Sequence, residues 1–165
     1  MRAALLLVLV TACAGSIGGD DGTNPGSGSD PGSGSSGPAS AHEFCVTETN
    51  RYRTDNGRAP VARSTELEQF ADTGAMIDFS GSPHDHFKQT NGGGIAFAEN
   101  ECPHWGLAAQ GGGDMNTLVA ACIAAFVSEG PGGGHYENLM GNYAKLGCGI
   151  FQSGGDVTLV QDYGP

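Results

Sequence analysis

Residues 129–140 read EGPGGGHYENLM. A carboxylate is followed by four glycines and one proline, and the chain then emerges on His135 and Tyr136. Glycines place no side chains between Glu129 and His135, so the loop leaves room for both polar groups to line one open cleft. Upstream, Leu118, Ala121, Cys122, Ala125 and Phe126 recur at helical spacing from Met115 onward. Glu129 continues that stripe at its C-terminal end. A carboxylate on a buried stripe is costly unless it is paired or bound to a metal. Downstream, His135 to Met140 has mixed character and suits a further strand. Ala144–Phe151 and Val157–Tyr163 flank SGGD, which is the pattern of a hairpin.

Toward the N-terminus the pattern is helical. Ala41 to Asp55 reads as a first helix, broken by the turn residues NGRAP at 56–60. Thr65 and Glu68 stand at capping-box spacing before Leu67, Phe70, Ala71 and Gly74, which predict a second helix to about Phe79. Residues 81–94, GSPHDHFKQTNGGG, are too rich in Gly, Pro and Asn for a regular element. Helices first and antiparallel strands late make an α+β fold, a sheet with helices packed on its faces.

The first residues carry export signals rather than fold. Arg2 and the apolar run AALLLVLV give a signal segment over 1–12, too short to span a bilayer as a mature helix. LVTAC at 9–13 has the form of a lipobox, so Cys13 is read as lipidated, with ordinary cleavage after Ala14 as the alternative. Residues 13–40 are nearly all Gly, Ser, Pro, Asp and Asn and form a disordered tether, leaving 41–165 as one domain. The anchor implies the membrane as a partner and a cell-envelope location, outer membrane or surface. Loss of the anchor implies a secreted protein. Seven basic against 18 acidic residues give a net charge of −11, which excludes nucleic-acid binding through a basic patch. Apart from Cys13, four cysteines remain (Cys45, Cys102, Cys122 and Cys148), implying two disulfides among three pairings.

There is no His-Glu-x-x-His helix, phosphate-binding loop or Gly-x-Ser-x-Gly elbow in the chain. What remains is a series of imidazoles and carboxylates flanked by small residues: His84 in SPHDHF, Glu99 in AFAENE, Glu129 in VSEG and His135 in GGHYENLM. Asn50-Arg51-Tyr52-Arg53, Gly57, the run Leu67 to Ala75, Ala98-Glu99-Asn100, Gly134-His135-Tyr136 and Gly147-Cys148-Gly149 follow in an order that resembles the CAP/SCP superfamily of cysteine-rich secretory, antigen 5 and pathogenesis-related proteins. The resemblance covers essentially all of 42–165, as a bacterial lipoprotein-type member. It implies a three-layer α-β-α sandwich around a mainly antiparallel sheet. It also implies a cleft tetrad of Glu99, Glu129, His135 and a histidine of SPHDHF. We take His84 because it directly follows the Ser82-Pro83 turn, with His86 as the alternate ligand. Phe126 stands where the family usually has tryptophan, and Asn138-Leu139-Met140 replaces its usual continuation.

Two imidazoles with two carboxylates suit a divalent cation, zinc before calcium, with His84 and His135 as ligands. Such a cleft either binds a small-molecule, lipid or peptide ligand, or serves as a metal-dependent hydrolase of peptide or cell-wall material. No catalytic residue is assigned.

Overall fold

A computed structural model of the chain describes residues 38–165; the signal segment, Cys13 and nearly all of the tether lie outside the described residues. Helix α1 spans Pro38–Asp55, three residues more than the pattern predicts, with a proline in the first turn, where its missing N–H costs nothing. Strand β1, Ala62–Arg63, is short. The residue before it is held by Asn50, whose side chain both donates to the Val61 carbonyl and accepts from its N–H, each at 2.8 Å.

Helix α2 covers Thr65–Ser80 and is capped by Ser64 rather than Thr65, its hydroxyl accepting from the Leu67 N–H at 3.3 Å. Glu68 therefore has no capping role and forms a fork with Arg63 at 2.7 and 2.8 Å. The segment read as irregular holds a six-residue helix α3, Asp85–Thr90, and a single 3₁₀ turn at Gly92–Gly94. Strand β2, Ala98–Gly106, is longer than its sequence suggests and carries a bulge at Pro103-His104, where proline has no N–H to give a ladder. Short helix α4 is Leu107–Gly111 and α5 is Met115–Ser128. Residues 134–139, expected as a strand, form helix α6, Gly134–Leu139. Strands β3, Lys145–Ser153, and β4, Asp156–Gly164, make the expected hairpin.

The sheet order is β1-β3-β4-β2. Its long pairs are antiparallel, but β1 runs parallel to β3, so the sheet is mixed. Helices α1, α5 and α6 pack on one face and α2 on the other, giving three layers. The two faces differ in chemistry. The first holds the main apolar core, with Leu139, Leu146, Leu159, Ile123 and Phe126, and both disulfides fasten it. Cys45–Cys148 ties α1 to β3, and Cys102–Cys122 ties α5 to β2. The α2 face has a core of only Ala71, Ala75 and Val160, with Phe151 packed on it. There the helix lies backbone-to-backbone on β3. A Cβ on Gly149 would fall 2.0 Å from the carbonyl carbon of Ala71, and one on Gly147 2.2 Å from the Glu68 nitrogen.

Candidate functional site

Consecutive strand residues point to opposite faces, and β2 uses this to serve two layers. Glu99 and Glu101 face the α2 layer, whereas Asn100 and Cys102 face the main core. Glu99 Oε1 is 2.8 Å from His84 Nδ1. The His84 backbone N–H donates to Glu101 Oε2 at 2.7 Å. His84 sits at φ 66°, in the left-handed region, at the N-terminus of α3, so two carboxylates fix an unusual backbone as well as the ring. The hydrogen bond to Glu99 holds the His84 imidazole above its ordinary pKa, against the opposing effect of burial.

Asn100, one residue on, reaches the other way. Its amide donates to the His135 carbonyl at 3.0 Å and its oxygen accepts from Asn138 at 3.1 Å, so β2 positions α6 directly. At the start of α6, His135 pairs with Glu129 twice: Nδ1 with Oε1 at 2.5 Å, and the backbone N–H to Oε2 at 3.0 Å. That pair draws the Glu129 carboxyl below the usual range, the His135 side-chain hydrogen bond being the largest cause. Glu129 is exposed rather than buried on the α5 stripe, because it follows the helix as its C-cap and turns toward His135. The glycine loop makes this turn possible. Gly130 and Gly132 have φ of 69° and 94°, and a Cβ on Gly133 would sit 2.4 Å from that of Glu129.

The two imidazole rings are stacked, with centroids 6.4 Å apart at an interplanar angle of 30°, and Phe126 stacks on His135 at 4.7 Å. Among the described residues no hydrogen bond engages either Nε2. The four residues named from the sequence thus form two glutamate–histidine pairs. The donor atoms that lie within 4.8 Å of one another come from His84, Glu99 and Glu101, with Glu129 and His135 as a separate pair. His86 points elsewhere: buried, its ring lies 4.5 Å from that of Phe70 of α2, tilted by 40°. The sequence reading passed over Glu101. Its signal was the alternation of acids at 99 and 101, which puts both on one face once the segment is a strand.

A hollow of about 360 Å³ opens beside His84 and is lined further by Phe87, Lys88, Phe97, Asn138 and Tyr143. Phe97 is 62% exposed at its rim, the most exposed of the large apolar residues described.

The model of the cysteine-rich secretory protein family, CAP, matches residues 46–163. The chain belongs to this family. Among solved structures, the CAP domain is similar to a cysteine-rich secretory protein from Staphylococcus aureus subsp. aureus Mu50, with a TM-score of 0.51 and 15% identity. That likeness, which concerns the fold alone, covers 75% of this chain and 38% of the staphylococcal one, so the CAP chain spans well under half of its length. No curated protein matches the sequence. Two disulfides fit a family of secretory proteins, since such bonds persist in oxidising compartments outside the cytoplasm.

Proposed function

We propose that this CAP domain, exported and tethered through Cys13, binds a divalent cation between His84 and His135 and, next to it, an extracellular ligand with an apolar part. One observation carries the reading. Each histidine has its Nδ1 occupied by a glutamate, Glu99 or Glu129, and its Nε2 without a hydrogen-bond partner among the described residues, and the two ring centroids are 6.4 Å apart. A carboxylate on one ring nitrogen is the arrangement that orients a metal-binding imidazole and raises its basicity. The donor set suits zinc, which would supply a positive charge to fix an anionic or carbonyl group of the ligand. Phe97 and Phe87, lining the hollow beside His84, would cover the ligand's apolar part. Both glutamates are engaged by histidines, Glu129 through both of its oxygens, which favours binding over hydrolysis.

Calorimetric titration of the full chain with zinc tests this. Wild type should bind and His135→Ala should not; equal heats from both would refute the site. Zinc binding needs His84 deprotonated, and its pKa is raised. Affinity should therefore begin to fall at a pH above the ordinary histidine range of about 6.5 as the solution is acidified.

A further inference from the structure

The arginines among the described residues are all committed. Arg51 pairs with Glu48 and Asp55, Arg63 pairs with Glu68, and Arg53 and Arg58 donate to main-chain carbonyls. Lys88 is not committed in this way. It is exposed, forms no ion pair among the described residues, and its Nζ has one bond, to the Pro83 carbonyl at 3.3 Å. It lines the hollow beside His84. Glu99 holds the His84 pKa up, and the charge of Lys88 is among the effects that oppose this, so the ammonium lies within electrostatic reach of that ring. In a chain with 18 acidic and seven basic residues, the hollow thus carries an uncompensated positive charge.

Asn138 supplies a second polar group. Its Nδ2 donates to the Glu99 carbonyl at 3.0 Å and to Asn100 Oδ1 at 3.1 Å. A carbonyl can only accept, so the orientation of the Asn138 amide is set and both of its N–H groups are used. Its Oδ1 accepts no hydrogen bond among the described residues and is open to solvent, on a side chain that lines the hollow. Phe87 and Phe97 provide an apolar wall. Glu99, which also lines the hollow, belongs to a buried acidic cluster between α2 and the sheet, with Asp78, Glu101 and Asp162. That cluster opposes an anion only weakly. Glu99 is paired with His84, and burial, reinforced by the neighbouring acids, pushes Asp162 up to about 9, which keeps it neutral.

A cation, a pre-set acceptor and an aromatic wall select a ligand with an anionic group, an N–H and an apolar side chain. A plain acyl chain would cover Asn138 Oδ1 without giving it a donor. A sugar would set hydroxyls against Phe87 and Phe97, which can bond none of them. The volume of about 360 Å³ stands at the low end of the range for small-molecule pockets, about 300–1,000 Å³, which suits one or two residues rather than an extended segment. We propose that the hollow recognises an apolar residue with a free α-carboxylate, at the C-terminus of a peptide or as a free amino acid. Lys88 takes the carboxylate, Asn138 Oδ1 accepts from the α-nitrogen, and Phe97 and Phe87 cover the side chain. This rests on the reading of the hollow as a ligand site, but not on the cation beside it.

The test is calorimetric titration of the full chain, in the presence of chelator, with N-acetyl-phenylalanine, N-acetyl-phenylalaninamide, octanoate and phenylalanine. N-acetyl-phenylalanine should bind with a Kd on the order of 1 mM, as befits so small a ligand. The amide lacks the carboxylate and octanoate lacks the N–H, so each should bind at least about tenfold more weakly. Lys88→Met, which keeps the stem, and Phe97→Ala should each weaken N-acetyl-phenylalanine by about tenfold. Both residues are exposed, so the fold tolerates the changes. Phenylalanine separates the two sources: weaker binding than the acetylated form supports a peptide end, and tighter binding supports a free amino acid. Binding of neither form, equal binding of the amide or of octanoate, or an unchanged affinity in Lys88→Met would overturn the proposal. Because chelator removes zinc, loss of the zinc heats leaves this result standing, and its own failure leaves the zinc site standing.

Discussion

Arg53 offers the clearest quantitative test of how the fold holds the cleft. Its side chain is 2% exposed and, among the described residues, hydrogen-bonds no carboxylate. It donates instead to three carbonyls: Ala59 at 2.9 Å, Leu139 at 2.6 Å and Gly141 at 3.0 Å. Leu139 is the last residue of α6, whose second residue is His135, so a cation at the helix C-terminus sits one helix length from the candidate ligand. Burial lowers the guanidinium pKa, yet arginine stays charged at any pH of interest. In Arg53→Met the Leu139 carbonyl, enclosed on all sides, bears the full cost of an orphaned acceptor, about 2–3 kcal/mol. The other two, closer to the surface, can recruit water and cost about 0.5–1 kcal/mol each. The expected loss is therefore about 3–5 kcal/mol, a large share of a typical stability of about 5–15 kcal/mol. Urea unfolding with the disulfides intact measures it, and Arg53→Lys should recover less than half, because an ammonium cannot span three acceptors. Amide exchange across α6 should accelerate in Arg53→Met. A loss below about 1 kcal/mol, with α6 still protected, would refute the view that this arginine clamps the helix.

Gly149→Ala drives a methyl group to within 2.0 Å of the Ala71 backbone, where no rotamer relieves it, so α2 must move. It should cost at least about 3 kcal/mol by thermal or urea unfolding, whereas Gly57→Ala, with φ of 70° and open space around it, should cost only about 1–2 kcal/mol. A Gly149→Ala protein as stable as Gly57→Ala would mean that the close approach of α2 and β3 is dispensable. Cys13→Ala should move the protein from the membrane fraction to the soluble one; a wild type already soluble on fractionation would contradict the tether.

How far the sequence could be read depended on how local each signal was. Helices α2 and α5 and the terminal hairpin follow from periodicity, because each buries one face along its whole length. The cap of α2 was misplaced by one residue since Ser64 and Thr65 are both good caps, and only the backbone at φ −122° decides between them. Helices α3 and α6 have six residues each, too few for a periodic stripe, and long-range bonds to β2 hold them in place. For the same reason their histidines were legible as chemistry but not as geometry. The cysteine count implied two bridges but not their pairing, which depends on α1 and α5 sharing one layer.

The acidic cluster was invisible for a deeper reason. Glu99, Glu101 and Asp162 read as solvated in any local window, and they become buried only when β2 meets β4 and α2 closes over them. That closure is tight because Gly147 and Gly149 let the helix backbone rest on β3. The two faces of the sheet are therefore built on different terms. The α1–α5 face gains its stability from apolar burial and two disulfides and can remain rigid without a ligand. The α2 face has a small apolar cluster of Ala71, Ala75 and Val160 beside four buried carboxylates, so its stability depends on what neutralises those acids. His84 is bonded to Glu99 and Glu101 of that second face, whereas His135 is anchored by Asn100 to the first. The two imidazoles of the cleft are thus held from opposite faces of the sheet, one through buried carboxylates and one through a buried amide.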